Sequence, residues 1–411
     1  MRAIERFGAS GLAVALLVSA CSSDSPRASA RVLAWDPPSA AVREGGISDL
    51  TLDPSDSTRS TFFAINDRGP NDAKGDIARF PEPAYHQKIF RFRLIPGGGV
   101  RLVGVDSIRS PQGRWTTGLP SPLFGSSERA FARASDGRDS ALAADSAGFD
   151  FEGLAHDDAD GFWASEEYGP RIVHMRRDSS GLRIERSFAP GAGLPEVFGR
   201  RARNKGLEAL CRMPDGNLVA MFQGALDNAV SDGKGLVAER SLARRILVLD
   251  PVRGGVREYL EQVDDDPRGK TSRRTKTGAC AVLDDGRILE LQHRKKGKGR
   301  VDVDVRLIDL AGATDVHLPR DPNARGRLVG GRTLEEVALD PDGLARAGIK
   351  PVGRTLAVGD LTGTLPGTFS KPEGMILVGD STLLVSFDND FGIQGDFSTR
   401  FLLVPLVIPA R

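Results

Sequence analysis

A pattern of two short apolar runs joined by a polar turn recurs five times along this chain. Each copy holds two runs of β-favouring residues with a turn that contains Asp or Gly between them, which is the signature of a β-hairpin. The copies occupy residues 46–70, 149–170, 204–226, 276–294 and 371–392. Hairpins that recur along one chain predict a repeat architecture, in which each unit buries one face against the next unit.

Further strand-like runs extend the pattern beyond the hairpins. Three hairpins are followed by such a run, in RIVHMRR, RRILVLDP and VDVRLIDL, and three or four strands per unit are typical of propeller blades. The 48 glycines and 25 prolines favour turns and short strands over long helices. The polar stretches 130–144 and 229–244 are interpreted as insertions. We therefore predict an all-β chain that forms a single β-propeller of six blades, with seven as the alternative, and irregular insertions.

The N-terminal segment predicts export. Arg2 and Arg6 precede a short apolar run, and small residues then lead to Cys21, as in a bacterial lipoprotein signal. This run is too short to span a bilayer as a stable helix. We expect residues 1–20 to be the signal peptide, Cys21 to carry the lipid anchor, residues 21–31 to form a flexible tether and residues 32–411 to form the propeller. The predicted location is the outer membrane, facing the periplasm, or the secreted fraction if Cys21 is not lipidated.

The remaining cysteines, Cys211 and Cys280, each lie a few residues before a turn that ends in Asp-Gly. Their hairpins correspond, so the two residues should lie in corresponding strands. We favour two buried thiols, which behave as small apolar side chains, and keep a disulfide as the alternative. No pair of cysteines has the C-x-x-C spacing of a metal or redox site.

The overall charge favours neither of the two common polyanionic partners. Lys and Arg number 56 and Asp and Glu number 55, so the net charge is +1. A balance this even argues against nucleic acid or a membrane surface as a partner, apart from the lipid anchor. We expect the protein to be a monomer.

Acidic residues recur at both ends of the hairpins. We align Asp49, Glu152, Glu208 and Glu373 at the start of the first strand, with Ala279 in the fourth unit. The second strand ends at a position that holds Asp67, Glu166 with Glu167, Gln223, His293, and Asp388 with Asp390. In a propeller the first strand of each blade lines the central channel, so these side chains should converge there. Carboxylates this close repel one another, and a bound Ca²⁺, or Mg²⁺ as the alternative, would offset the repulsion.

Several of these segments resemble one known family. INDRGP, FEGLAHDDADGFWASEEYGPRI, GLEALCRMPDGNLVA and KPEGMILVGDSTLLVSFDNDFG are similar to the phytase-like domain, also called the esterase-like activity of phytase family, over residues 42–407. The resemblance implies a β-propeller and a phosphoesterase activity in an exported protein. The positions that match its motifs are Asp67, Arg68, Glu152, Glu166, Glu167, Glu208, Glu373, Asp388 and Asn389. The chain departs from the family at Gln223, Ala279 and His293-Arg294, where members usually carry Glu, Asp and Glu-Arg.

Two functional hypotheses follow. In the first, the chain is a metal-assisted phosphoester hydrolase that acts on a small phosphorylated anion. Its catalytic residues are then Glu152, Glu208, Glu373 and His293, its substrate-binding residues are Arg68, Arg171 and Arg294, and its metal ligands are Asp67, Glu166, Glu167, Asp388 and Asp390. In the second, the propeller binds a ligand or a protein partner in the cell envelope without turnover. No G-x-S-x-G motif supports a serine esterase.

Overall fold

The structure is a computed structural model of the chain. It describes residues 30–36, 44–124, 128–134, 136–157, 160–230, 236–264, 275–297, 300–361, 371–379, 381–393, 395 and 398–408. The predicted signal peptide, its Cys21 and the tether up to residue 29 lie outside the described residues. No helix in the described part of the chain has the length and hydropathy that a membrane crossing needs.

Five antiparallel four-stranded units, here called blades 1 to 5, dominate the described chain. The outer strands of blades 1 and 2, β7 and β13, also pair in parallel over two residues, which joins these two blades in one sheet. Each of the five hairpins found in the sequence supplies the first two strands of one blade. Blade 1 is β2 (Ile47–Leu52), β3 (Thr61–Asn66), β6 (Lys88–Leu94) and β7 (Val100–Arg109); blade 2 is β10 (Phe151–His156), β11 (Gly161–Glu166), β12 (Arg171–Asp178) and β13 (Gly181–Pro190); blade 3 is β15 (Leu207–Arg212), β16 (Leu218–Phe222), β17 (Ala243–Leu249) and β18 (Val256–Gln262). Blade 4 is β19 (Thr275–Val282), β20 (Ile288–Gly297), β21 (Arg300–Asp309) and β24 (Gly353–Val358); blade 5 is β25 (Pro372–Val378), β26 (Thr382–Phe387), β27 (Thr399–Pro405) and β1 (Arg31–Trp35).

The remaining elements lie outside the blades. An inserted sheet contains β4 (Asp72–Lys74) and β5 (Ile77–Phe80), which lie between β3 and β6 of blade 1, and β8 (Arg129–Arg133) and β9 (Asp139–Ala141), which follow blade 1. Short pairs and helical turns occur elsewhere: β14 (Gly193–Leu194), β22 (Leu328–Val329), β23 (Arg332–Thr333), α1 (Leu236–Arg240), α2 (Leu334–Val337), α3 (Gly343–Arg346), and 3₁₀ turns at Pro122–Phe124, Glu196–Arg200 and Asp390–Gly392.

The first strands of the blades form a closed ring. In order around the ring, β2 contacts β10, β10 contacts β15, β15 contacts β19, β19 contacts β25, and β25 contacts β2 again. The propeller prediction is therefore confirmed, but the described residues form five blades rather than the predicted six. The long spans within and after blade 1 hold the inserted sheet, and the span inside blade 4 holds the β22–β23 pair, so their length does not indicate another blade.

Both chain ends contribute to blade 5. Strand β1 pairs with β27 in antiparallel register, with Arg31 opposite Leu403 and Trp35 opposite Thr399. The Trp35 ring packs against Phe90 and Phe92 of blade 1, with ring centroids 5.9 and 5.2 Å apart. The N-terminal strand thus closes the ring and joins the core between blades 5 and 1.

The two cysteines form a disulfide, so the favoured expectation of free thiols was wrong. Cys211 lies in β15 and Cys280 in β19, which are neighbouring inner strands, and their Cα atoms are 5.8 Å apart. That separation is within the range a disulfide spans. The bond joins blades 3 and 4 at the channel wall.

Candidate functional site

Each inner strand carries a β-bulge at the same place near its start. The pairing with the second strand shifts by one residue there in all five blades. A bulge adds an unpaired residue and re-aims its side chain. The bulge residues, in blade order, are Ser48, Glu152, Glu208, Gly278 and Glu373.

The bulges correct two positions of the sequence alignment. Ser48 and Gly278 are the equivalents of Glu152, in place of the predicted Asp49 and Ala279. Asp49 is buried one residue further along β2, where its Oδ2 accepts a hydrogen bond from Leu154 N at 2.8 Å. This carboxylate joins the inner strands of blades 1 and 2. The sequence alignment was wrong at these two positions because the alternation of apolar and polar residues along a strand does not show which residue a bulge leaves unpaired.

Two further positions lie beside the bulges. In blades 1, 2, 3 and 5 the residue two places before the bulge faces the residue just after the second strand, as in blade 2, where Glu167 N donates to Asp150 O at 2.9 Å. In blade 4 the facing residue is inside the second strand. We call the bulge residues and these two sets the channel mouth. The first set is Gly46, Asp150, Gly206, Lys276 and Lys371, and the second set is Asp67, Glu167, Gln223, His293 and Asp388.

Three carboxylates of blade 2 converge at this mouth and form the acidic cluster. One oxygen each from Asp150, Glu152 and Glu167 lies within 4.8 Å of the other two. Glu167 is only 3% exposed, and its buried Oε1 has no hydrogen-bond partner among the described residues. Carboxylate oxygens in this arrangement suit Ca²⁺, which takes six to eight oxygen ligands at about 2.3–2.6 Å and accepts water for the remainder. The donor set therefore fits a hard divalent cation.

Burial and mutual repulsion govern the protonation of this cluster. Burial raises the pKa of Asp150 to about 8, although the nearby Arg68 opposes the shift. The pKa of Glu152 is also raised by burial and by the charges of Glu208 and Asp150, and burial raises the pKa of Glu167. Several buried carboxylates that resist ionisation indicate a site whose negative charges are not fully balanced by its positive ones.

Two other predicted catalytic acids complete this side of the mouth. Burial raises the pKa of Glu208 to about 8, and repulsion by Glu167 adds to the shift. Glu208 Oε1 accepts a hydrogen bond from Gln223 Nε2 at 2.6 Å, and its buried Oε2 has no partner in the described part of the chain. The pKa of Glu373 is raised by burial and by repulsion from Asp388. The structure thus brings Glu152, Glu208 and Glu373 together at one mouth.

The predicted arginines lie in ion pairs. Arg68 Nη1 is 2.7 Å from Glu128 Oε2 and 3.5 Å from Asp150 Oδ2, so it borders the acidic cluster. Arg171 Nε is 3.0 Å from Glu166 Oε2, inside blade 2.

Arg294 pairs outside the acidic cluster, whereas Glu166 borders it, because Glu166 Oε1 accepts a hydrogen bond from Asp150 N at 3.4 Å. Arg294 is 3.6 Å from Asp264 on the side of blade 4 that faces away from the mouth residue His293. Glu166 is fully buried, and its two oxygens accept hydrogen bonds from Tyr168 N, Gly169 N and Arg171. These bonds hold the turn after β11 in place.

The predicted ligands of blades 1 and 5 lie on another part of the mouth. Lys371 Nζ is 2.9 Å from Asp388 Oδ2 and also pairs with Asp390. Asp67 accepts a hydrogen bond from Gly69 N at 2.8 Å, and its pKa is raised by burial and by repulsion from Asp388. Lys371 therefore balances part of this acidic group without a metal ion.

Blade 4 presents basic groups at the same mouth. Lys276 faces His293 across the β19–β20 pair. His293 is 7% exposed, and its buried Nδ1 has no hydrogen-bond partner among the described residues. Burial lowers the pKa of His293 to about 3, and the charge of Lys276 is the next largest cause. The imidazole is therefore neutral at physiological pH.

Two residues of the mouth were missed by sequence reasoning. Asp150 and Lys276 both lie two places before a bulge, whereas the sequence alignment followed one position of the first strand and one at the end of the second. Aligning the hairpins over three more residues would have revealed both. It would also have shown that blade 4 carries Lys where blade 2 carries Asp.

A sequence profile places these residues within a known family. The family described as "Phytase-like: Esterase-like activity of phytase" matches residues 42–391. No curated protein matches the chain.

Several solved structures align with the chain at low similarity. The PQQ-bound aldose sugar dehydrogenase of Streptomyces coelicolor is 15% identical with a TM-score of 0.39, over 92% of this chain and 99% of that one. Virginiamycin B lyase of Staphylococcus aureus is 11% identical with a TM-score of 0.30, over 92% of this chain and 100% of that one. YCF48 bound to D1 peptide is 10% identical with a TM-score of 0.32, over 92% and 97%. Likenesses this weak carry no argument about function.

Proposed function

The chain belongs to the phytase-like family, and from this premise and the geometry of its channel mouth we propose that it is a metal-assisted phosphoester hydrolase. The observation that carries the proposal is the acidic cluster. One oxygen of each of its three carboxylates lies within 4.8 Å of the other two, and a buried oxygen of Glu167 has no hydrogen-bond partner among the described residues. Buried, unpaired carboxylates are costly to a fold, and they are retained where they bind something.

Asp150, Glu152 and Glu167 would hold the cation, with Ca²⁺ as the first choice and Mg²⁺ as the second. A divalent ion there supplies Lewis-acid chemistry: it polarises a phosphoryl oxygen and lowers the pKa of an attacking water. The family match supports a small phosphorylated anion as the substrate class.

Glu208 is the proposed proton acceptor. Its Oε2 is buried and unpartnered among the described residues, and its Oε1 is held by Gln223 Nε2 at 2.6 Å. A hydrogen bond to one oxygen fixes the carboxylate and leaves the other oxygen available to take a proton from water. Without a cation the pKa of Glu208 is about 8, so the group is protonated at neutral pH. A cation bound beside it would lower this pKa and leave the carboxylate free to accept a proton.

A second candidate function is ligand binding without turnover. Blades 3 and 4 carry Gln223, Gly278 and His293 where blade 2 has carboxylates, so a catalytic set that spans these blades is incomplete. The propeller would then use the same cation to hold an anionic ligand.

Calcium-dependent stability and turnover test the proposal together. We expect Ca²⁺ to raise the free energy of unfolding of the chain without its signal segment by about 2.7 kcal/mol when the ion is present at 100 times its Kd. The melting temperature should rise accordingly. E152Q and E167Q should abolish this stabilisation, because each removes one of three charged ligands. Both should also abolish release of phosphate from phosphomonoesters and phytate.

Glu185→Gln is the matched control, since Glu185 is an exposed carboxylate of blade 2 outside the mouth. It should retain both properties. A wild-type protein whose melting is insensitive to Ca²⁺ and Mg²⁺ would contradict the metal site. Calcium stabilisation without hydrolysis of any ester would favour the non-catalytic alternative.

A further inference from the structure

We propose that Lys276 and His293 of blade 4 form a subsite that binds the anionic group of the ligand. This subsite is separated from the acidic cluster by blade 3, so the ligand would lie across the channel mouth between a bound cation and a lysine. The inference rests on the proposed function, because it names the residues that bind the anionic group of the ligand in the same site.

The charge of the mouth is inverted between blades 2 and 4. Asp150 and Glu167 occupy the two positions beside the bulge in blade 2, and Lys276 and His293 occupy the same two positions in blade 4. The bulge residue itself changes from Glu152 to Gly278. Because these positions recur around one axis, a ligand at the mouth meets a negative wall on one side and a basic wall on the other.

The polar atoms of blade 4 have capacity left for a ligand. His293 Nδ1 is buried without a partner in the described part of the chain, and so is Gln223 Oε1 in neighbouring blade 3. Buried polar atoms are normally hydrogen-bonded, so a buried atom that lacks a partner among the described residues calls for an explanation. A bound anion or its ordered water would satisfy the imidazole.

Lys276 differs from the other lysine of the mouth. Lys371 is held by ion pairs with Asp388 and Asp390. Lys276 is half-buried, and no carboxylate of the described residues forms an ion pair with it. The charge of Lys276 acts on Glu167 and Glu208 from a distance and opposes the rise in the pKa of each. A lysine ammonium without a paired carboxylate is a point charge available to a phosphate.

The ligand class follows from these groups. A phosphate monoester has several oxygens on one phosphorus, so one oxygen can approach a cation while another accepts from an ammonium. The neutral imidazole of His293 adds a hydrogen-bonding group without further charge. A neutral sugar or a cationic ligand would leave Lys276 uncompensated.

Methylphosphonate is a suitable probe, since it is a phosphate analogue that cannot be hydrolysed. We expect K276M to weaken its binding, measured by titration calorimetry on the chain without its signal segment, by about 10- to 100-fold, the range for losing one charge-assisted hydrogen bond. K276R should restore most of the affinity. Lys350→Met removes an exposed lysine outside the mouth and should bind as the wild type does.

Measuring Ca²⁺ binding distinguishes two roles of Lys276, namely binding the anionic group and only balancing the charge of the carboxylates. If Lys276 is only a counter-ion, K276M should bind Ca²⁺ more tightly and methylphosphonate as tightly as the wild type, which would overturn the proposal. H293Q, which keeps a polar group in place, guards against a folding defect and should weaken methylphosphonate binding without lowering the melting temperature. Loss of methylphosphonate binding in K276M, in a protein whose wild type ignores Ca²⁺, would uphold this subsite and reject the proposed metal site.

Discussion

The individual carboxylates of the mouth set the balance between stability and function. Asp150 and Glu208 have pKa values raised to about 8 by burial, far above those of the same groups in an unfolded chain. Their ionisation in the folded state is therefore unfavourable until a cation is bound. The protein tolerates this cost because the strands of the blades hold the backbone of each residue in place.

This cost predicts an unusual dependence of stability on pH. Between about pH 4 and pH 8 the folded state binds more protons at Asp150 and Glu208 than the unfolded state does, so the free energy of unfolding falls as pH rises. The lowered pKa of His293 acts in the opposite direction, but only up to about pH 6.5, where the unfolded imidazole has lost its proton.

The clean window is therefore pH 6.5 to 8, with metal removed by a chelator. Urea unfolding should show stability declining there by up to about 1.4 kcal/mol per pH unit for each titrating group. Excess Ca²⁺ should remove the decline, and E208Q should reduce it. Stability that is constant or increases over this window in chelator would contradict the assigned protonation states.

At the level of elements, the inner strand with its bulge is the unit that builds the site. In blades 2, 3 and 5 the bulge carries a carboxylate side chain to the mouth, while the rest of the strand pairs and packs. Neighbouring inner strands are held together by few hydrogen bonds, since they do not pair with one another in a sheet. The Cys211–Cys280 disulfide is a covalent link between two of them.

Removing this link should loosen blades 3 and 4. The disulfide closes a segment of 69 residues, for which chain entropy predicts a stabilisation of about 4 kcal/mol. Replacing both cysteines by alanine should lower the urea midpoint accordingly, and reduction of the wild type should have a similar effect. Equal stability of the oxidised wild type and the double variant would show that packing alone holds the two blades.

The whole molecule depends on closing the ring of blades. The ring closes in blade 5, where β1 from the N-terminal end pairs with β27 from the C-terminal end. An open ring would expose the edge of β27 and the core between blades 5 and 1. Trp35 lies at this junction, 6% exposed and against Phe90 and Phe92.

Trp35→Ala should therefore destabilise the entire propeller and not a local segment. We expect a loss of about 3–5 kcal/mol, the range for truncating a buried aromatic side chain, in a single cooperative unfolding transition. Val32→Ser on the same strand is the control, because Val32 is 37% exposed and should change stability by less than about 1 kcal/mol. An unchanged urea midpoint in W35A would show that β1 does not close the ring.

Local patterns in the sequence determined the strands, the turns and the acidic ends of the hairpins. Alternating β-favouring runs and Asp-Gly turns are properties of a few consecutive residues, so all five hairpins and the propeller class could be predicted from them. The segments that resemble the phytase-like family and the carboxylates Glu152, Glu208 and Glu373 followed from the same patterns. The lipid anchor at Cys21 stays a prediction.

Contacts between distant residues were decided only by the tertiary structure. The number of blades depends on the angle at which neighbouring sheets pack, which no short segment encodes. The disulfide and the ion pairs of Arg68 and Arg294 also depend on which strands become neighbours; Arg68 and Glu128, for example, are 60 residues apart. The proposed role of Lys276 likewise depends on the tertiary structure. A lysine in a hairpin predicts no function by itself, and only the ring of blades places Lys276 at the same mouth as the acidic cluster.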